Sequence, residues 1–314
     1  MAKNKKTKIL SELRFDLISN DWVVIAKGRS SRPEVFGKKE KCPFCKLDFK
    51  GKSVKVIPNK YPAFSVSGKL ERKREGGLYE SFNAYGFHEV VVLKDHGKDL
   101  AEISEKEMKE LIEVYKERYL ALLSEKLVNH IAIFHNQGKG AGASISHAHS
   151  QIATTPFIDI NLKTSLSNAE SHFLNTGKCI YCQMIEWEKK SKKRIVFENS
   201  EFVALCPFAP KAAFEVVISP KKHLPYFEKI NQAEITGLAE AFQAVLKKIK
   251  KGLNNPDYNF YLHTAPCDKR ERFFYHWHWT IMPKTANWAG FELGSQMEIT
   301  TIEPEKAAAH LRKQ

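Results

Sequence analysis

Four of the six cysteines stand in two Cys-x-x-Cys pairs, Cys42-Pro43-Phe44-Cys45 and Cys179-Ile180-Tyr181-Cys182. In a chain expected in the cytoplasm, such pairs point to metal or redox chemistry before disulfides. Histidines follow each pair in the same order. Cys42 and Cys45 precede His96 and then His147-Ala148-His149; Cys179 and Cys182 precede His223 and then His276-Trp277-His278. The steps are 54 and 51 residues in the first series (42 to 96, 96 to 147) and 44 and 53 in the second (179 to 223, 223 to 276). Zn²⁺ in a structural site takes four thiolate or imidazole ligands in a tetrahedron. Two such sites are expected per chain, one on Cys42, Cys45, His96 and His147 and one on Cys179, Cys182, His223 and His276, with iron as a variant at the second. A lone histidine would more often be an ordinary core or surface residue, but the doubled order argues for ligands. Closed four-ligand sites hold a fold together and do not activate water.

The elements around these residues repeat with them, so the pattern reads as an internal duplication of about 130 residues. A strand-like run, His88 to Leu93, precedes His96, and Ser104-x-x-Glu107 opens a helix eight residues after it. In the second series Phe214 to Ile218 precedes His223, and Asn231-x-x-Glu234 opens a helix at the same offset. Met108, Leu111, Ile112, Tyr115, Tyr119 and Leu122 form the apolar face of one helix; Ile235, Leu238, Phe242, Val245, Leu246 and Ile249 form that of the other. Strands at His130 to Phe134 and Tyr258 to Leu262 then lead to the His-x-His motifs. The predicted fold class is α+β: two halves, each an antiparallel-rich sheet with one long helix. The segment Pro156 to Lys178 has turn residues and no sustained period, which places the boundary near residue 170 and divides the chain into 1–170 and 171–314.

His149 lies two residues past a ligand. If both sit on a strand they share a face, so an anchored His147 determines where His149 points. The preceding stretch from His135 to Ser146 contains Gly138, Gly140 and Gly142 and can bring backbone N–H groups close to phosphate oxygens. A neutral imidazole is a good nucleophile near pH 7, and its phosphoramidate stays reactive. His149 therefore reads as a nucleophile toward phosphorus, with Gln151 on the same face donating to the phosphoryl group, or else as a further metal ligand.

The composition frames these readings. With 43% apolar and 27% charged residues the chain is a folded protein, not a disordered one. No run of about 18 apolar residues occurs, and the lysine-rich start lacks a hydrophobic segment, so neither a membrane span nor a signal peptide is expected and the cytoplasm is the expected compartment. The net charge of +14 favours anionic partners. Lysine runs such as 189–193 and 247–251 read as solvated faces. A zinc-bearing nucleic-acid-binding protein is the competing class, but ligands spread over about 100 residues in each half do not form a finger-like module.

On these residues the chain resembles the galactose-1-phosphate uridylyltransferase family of the histidine-triad superfamily. The matching stretches are Asn136-Gln137-Gly138, Gly142-Ala143-Ser144 and His147-Ala148-His149-Ser150-Gln151. Supporting matches are Trp22 to Ala26, Arg29-x-x-Arg32-Pro33, Cys-Pro-Phe-Cys, Pro58-Asn59-Lys60-Tyr61-Pro62-Ala63 and Gly290-Phe291-Glu292. The resemblance implies two histidine-triad-like halves and a homodimer whose active sites borrow residues from the partner. It implies ping-pong exchange of UMP between UDP-glucose and galactose 1-phosphate through a uridylyl-histidine. By that resemblance His149 is the nucleophile, Gln151, Asn136, Gly142 and Ser144 serve the phosphates, Asn59 and Lys60 the nucleoside, and Arg29, Arg32 and Glu292 the sugar phosphate. Nucleic acid and membrane are not among the implied partners. Two departures stand out: Ala148 replaces the family's middle proline, and the second site carries cysteines, as in the related ADP-glucose phosphorylases and archaeal-type transferases. The alternative activity is thus ADP-glucose or dinucleoside polyphosphate phosphorolysis. The second half has Thr280 in place of the glutamine and Ala265, thirteen residues before His278, in place of asparagine, and reads as structural.

Overall fold

The structure, a computed structural model, describes residues 11–31, 36, 42–66 and 69–314. Ser104 and Asn231 do cap their helices: each side chain accepts the N–H of Glu107 or Glu234, and that glutamate reaches back to the cap residue's own N–H. The capping box thereby satisfies donors that the first helical turn leaves unpaired. The helices are α1 (Glu105–Leu123) and α4 (Gln232–Gly252), and the faces read from their periodicity are the buried ones.

In the first half, β3 (Val54–Pro58), β6 (His88–Leu93), β7 (His130–Gln137) and β8 (His149–Thr155) are antiparallel neighbours in the order β3-β6-β8-β7. The second half repeats this as β12 (Tyr258–His263), β13 (His278–Pro283), β11 (Val216–Pro220) and β10 (Phe202–Leu205), extended by β9 (Ile195–Glu198). The halves meet strand to strand. β7 pairs antiparallel with β12, Tyr258 opposite Gln137 and Tyr261 opposite Phe134, so one nine-stranded sheet runs through the molecule with mirrored strand order about that seam. Helices α1 and α4 lie side by side on one face. Between them and the sheet Tyr115, Phe227, Phe242, Phe260 and Trp279 pack ring to ring, with centroids 5.3 to 5.8 Å from Trp279.

A second sheet, in the order β2-β1-β5-β4, is built from β1 (Ser11–Asp16), β2 (Asp21–Ala26), β4 (Arg72–Glu75) and β5 (Tyr79–Asn83). Trp22 docks it by stacking on Phe157 just past β8, with centroids 4.2 Å apart and planes at 9°. Gly86 lets the chain cross β8 closely: its φ is +154°, and a Cβ there would stand 2.1 Å from the Thr154 carbonyl oxygen.

The segment read as an aperiodic linker is in fact a helix, α2 (Ile160–Thr176), capped by Asp159 and closed by Gly177 in the left-handed conformation. Its buried stripe is only Leu162, Leu166 and Ala169, too narrow to stand out as a period. The expected boundary near residue 170 falls inside it, and its stripe packs with Ala265, Phe274 and Tyr275 of the second half. Helix α3 (Ile180–Ser191) follows, and the chain ends with α5 (Gly290–Ser295) and α6 (Pro304–Arg312). Among the described residues no helix is long and apolar enough to cross a membrane.

Behind β8, on the helical face, His135 closes a buried chain of neutral groups. The Ser150 hydroxyl, 2.5 Å from the Tyr115 hydroxyl, donates to His135 Nδ1, and His135 Nε2 donates to Gln137 Oε1. Burial lowers the imidazole pKa to about 3. The unfolded chain takes up a proton near pH 6.5 that the folded chain refuses, so this histidine's contribution is complete above that pH and is lost as pH falls. Between pH 7.5 and 5.0 the loss should reach about 2 kcal/mol. Urea unfolding at the two pH values should show it as a drop that His135→Gln reduces by about that amount; an equal drop in wild type and variant would contradict this.

Candidate active site

The short turn Phe44–Lys46 brings Cys42 and Cys45 up to His96, which follows β6, and to His147, which precedes β8. One ligand atom from each of the four lies within 4.8 Å of every other. His147 Nε2 donates to the Leu93 carbonyl at 2.6 Å, which turns its Nδ1 toward Cys42 Sγ at 3.6 Å and Cys45 Sγ at 3.7 Å. An imidazole that gives one N–H to a carbonyl and presents the other nitrogen to soft donors has the orientation of a metal ligand. Cys179, Cys182, His223 and His276 form a second cluster within the same limit. There His276 Nε2 donates to the Pro220 carbonyl and His223 Nε2 to that of Phe273, so both Nδ1 atoms face Cys182 Sγ, at 3.5 and 3.3 Å. Hydrogen bonding from Cys182, joined by the two histidines, holds the Cys179 thiol well below its usual range, so this cluster favours a thiolate. Both donor sets expected from the sequence are assembled, and both fit a zinc-like ion.

His149 starts β8 opposite Val92 and is 8% exposed. Its Nδ1 lies 2.8 Å from the His147 carbonyl oxygen. Because a carbonyl only accepts, Nδ1 carries the proton and Nε2 keeps its lone pair. Phe44, from between the two cysteines, lies edge-on to the His149 ring at 5.1 Å, so the Cys-x-x-Cys loop also walls the imidazole. His149 is not part of the first metal cluster. Gln151 is next on the same face, opposite Val90. Its Oε1 accepts from His88 Nε2 at 3.0 Å and lies 3.5 Å from Asn59 Nδ2.

The glycine-rich loop is pinned from the second half, which the sequence did not reveal. Asp257 Oδ2 accepts the Gly140 N–H at 2.5 Å, and Asn259 Nδ2 donates to Asn136 Oδ1 and to the Ala141 carbonyl at 2.8 and 2.9 Å. Asn136 sits across the seam from Asn259, and the β7·β8 register extends to bring it opposite His149. Gly142 lies exposed on the same loop and Ser144 part-buried beyond it. Of the other expected residues, Arg29 reaches the Tyr61 carbonyl at 3.4 Å and Lys60 lies 5.8 Å over the Tyr61 ring, so both border the Asn59 segment. Glu292 is part-buried, and it accepts the Ala289 N–H, capping α5. Arg32 lies outside the described residues.

The second half copies the tether without the rest. His278 Nδ1 lies 3.2 Å from the His276 carbonyl, and Tyr181 takes the place of Phe44, 5.6 Å from the His278 ring. The asparagine counterpart is not Ala265, as counting back from His278 suggested, but His263, which pairs with His278 in the strand register and stacks on it at 4.6 Å. The two halves differ by two residues in the intervening loop, which misleads a count. Burial lowers the His278 pKa to about 4.

Residues 45–159 match the family model described as galactose-1-phosphate uridyl transferase, N-terminal domain, and residues 178–290 match that described as scavenger mRNA decapping enzyme C-term binding. An ADP-glucose phosphorylase of Arabidopsis thaliana is 32% identical, covering 96% of this chain and 92% of its own. A galactose-1-phosphate uridylyltransferase of Thermotoga maritima is 28% identical over 97% and 98%. The chain belongs to the galactose-1-phosphate uridylyltransferase family, close to its ADP-glucose phosphorylase branch. It is an enzyme, a transferase, with the family's fold. A solved uridylyltransferase superposes with a TM-score of 0.86 at 28% identity, covering 96% of this chain and 97% of that one. An A. thaliana ADP-glucose phosphorylase with bound ADP-glucose gives 0.77 at 31%, covering 97% and 99%.

The loop geometry separates two of its glycines. A Cβ on Gly138 (φ +83°) would lie 1.7 Å from Asp257 Oδ1, whereas one on Gly142 (φ +87°) meets nothing within 4 Å. Gly142→Ala should therefore cost only the left-handed backbone strain, about 1–2 kcal/mol, and Gly138→Ala clearly more. Chemical unfolding of both variants checks this; equal losses would mean that Asp257 does not pin the loop.

Proposed function

We propose that the protein transfers a nucleotidyl group between hexose 1-phosphates through a covalent adduct on His149. The observation that carries this is the hydrogen bond from His149 Nδ1 to the His147 carbonyl, which leaves Nε2 as the nucleophilic nitrogen on the strand face that also carries Gln151. In the first step Nε2 attacks the α-phosphorus of a nucleotide sugar. An N–P bond forms, the bond from phosphorus to the bridging oxygen breaks, and hexose 1-phosphate leaves with the bonding pair. The imidazole gains positive charge, which the carbonyl at Nδ1 stabilises. In the second step a phosphate oxygen of the acceptor attacks phosphorus, the N–P bond breaks, and Nε2 recovers its lone pair. Gln151, Asn136, Gly142 and Ser144 would hold the phosphates, Asn59 and Lys60 the nucleoside, and Arg29, Arg32 and Glu292 the sugar phosphate.

The reading we adopt for the substrates is UDP-glucose as donor and galactose 1-phosphate as acceptor, by similarity to the uridylyltransferases. Phosphorolysis of ADP-glucose is the second reading, favoured by the 32% identity to an ADP-glucose phosphorylase and by the cysteines of the second cluster. Zn²⁺ at both clusters is the proposed metal. It would tie the Cys-x-x-Cys turn to the strand ends and leave catalysis to the organic side chains. We read 1–170 as the catalytic half and 171–314 as the degenerate one, in a cytoplasmic homodimer. Trp288, Phe291, Leu293, Met297 and Ile299, each 51–67% exposed along one short segment, favour a partner subunit covering it.

Intact-protein mass spectrometry after mixing with UDP-glucose or ADP-glucose separately should show a UMP or AMP adduct, and the donor that reacts names the substrate. His149→Ala should abolish the adduct while retaining both metals, whereas His147→Ala should lose one metal equivalent. If both variants lose metal equally and keep comparable turnover, His149 is a ligand and the covalent route is wrong. Metal analysis of protein purified without chelators should find about two Zn²⁺ per chain. Cys42→Ser and Cys179→Ser should each remove one and lower stability, because binding energy at such sites is folding energy. Protein with no bound zinc would refute that assignment.

A further inference from the structure

His88 lies outside both metal clusters and outside the residues that the sequence singled out for chemistry. It is buried at the start of β6, opposite Ala153, on the face that carries His149 and Gln151. Its two nitrogens are bound differently. Nδ1 is 3.0 Å from the backbone nitrogen of Ala63, and a backbone N–H only donates, so Nδ1 accepts. A neutral imidazole then carries its proton on Nε2, which lies 3.0 Å from Gln151 Oε1. Asn59 is oriented in the same way. The Tyr61 N–H occupies Asn59 Oδ1 at 2.9 Å, so its amide nitrogen is the end directed at Gln151 Oε1. The 3.2 Å between Asn59 Nδ2 and His88 Nε2 is therefore a contact of two donors converging on one acceptor, not a bond between them.

From this we infer that His88 is a positioning residue: its Nε2–H holds the Gln151 carbonyl, so that the Gln151 NH₂ is the end presented to the phosphoryl group beside His149. A glutamine amide can occupy its site in either of two flips, and only one presents a donor. With Oε1 turned to the phosphate, two oxygens would face each other and the amide would repel the charge that it should stabilise. The same contact couples two parts of the site. Ala63 and Asn59 belong to the segment assigned to the nucleoside, so that segment sets the His88 tautomer, and the tautomer sets the amide.

This inference rests on the nucleotidyl-transfer reading, and its test separates the two. Rapid-quench mass spectrometry would follow adduct formation with UDP-glucose and with ADP-glucose in wild type, His88→Leu, His88→Gln, Gln151→Ala and the His88→Leu/Gln151→Ala double variant. Misplacing a reacting group by about 1 Å can cost about 10²-fold, so His88→Leu should slow adduct formation by about 10- to 100-fold with donor KM changed less than about 3-fold. His88→Gln, which restores an N–H near the position of Nε2, should recover most of that rate. In the Gln151→Ala background His88→Leu should add less than about 2-fold, because the group it positions is gone. A normal rate in His88→Leu, or the same fold loss with and without Gln151, would overturn the inference alone. Absence of any adduct on the wild-type protein with both donors would overturn the reading of the site and this role with it. The tautomer is measured without a donor, on unaltered protein, by long-range ¹H–¹⁵N correlation with His88→Gln as the assignment control. A proton on Nε2 is expected, and one on Nδ1 would refute the inference directly.

Discussion

The hydrogen bond from His149 Nδ1 to the backbone of His147 is the interaction on which the proposed chemistry of this site depends. It fixes ring orientation and tautomer at once, and it can do so only because the accepting carbonyl is itself held. His147 is tied through Nε2 to the Leu93 carbonyl and through Nδ1 to the Cys42 and Cys45 sulfurs. The Cys/His cluster would thus act at one remove, by immobilising the backbone that orients the neighbouring imidazole. Phe44, carried between the two cysteines, extends the same control to the wall of the site. Ala148 in place of a proline is compatible with this, because the strand pairing and the Cys/His cluster already hold the main chain on both sides of it.

The second half keeps the scaffold and omits the reactive set. Its cluster, capping box, strand order and imidazole-to-carbonyl tether all repeat, yet His263 and Thr280 stand where the first half has Asn136 and Gln151. Stacked His263 and His278 rings, both kept neutral by burial, are poorly suited to receive a phosphate dianion. The second half is nonetheless part of the proposed site. Through Asp257 and Asn259 it holds the glycine-rich loop and Asn136 across the β7·β12 seam, so the duplication has become a division of labour within one continuous sheet.

Much of this was legible in the sequence because it depends on local or repeated signals. The capping boxes and the faces of α1 and α4 follow from short-range spacing, and the two candidate ligand sets from the repeated order of Cys-x-x-Cys pairs and histidines along the chain. What stayed hidden depends on partners distant in sequence. The edge-to-edge joining of the halves is a choice between strands that alternation cannot specify. Asp257 and Asn259 are ordinary polar residues at a strand start until the seam brings them under the loop. His88 read as the first residue of a buried strand, and nothing within β6 distinguishes it from a core histidine. Helix α2 was missed because three buried residues make too narrow a stripe to register as a period.

Because the tether places the proton on Nδ1, the proposed nucleotidyl adduct attaches through Nε2 of His149. Heteronuclear ³¹P–¹⁵N correlation on ¹⁵N-histidine-labelled protein, trapped as the adduct with the reactive donor and compared with His149→Ala, measures this directly. The account predicts one phosphorus coupled to Nε2 of His149, with Nδ1 still protonated; coupling to Nδ1, or to a nitrogen of His278, would contradict it.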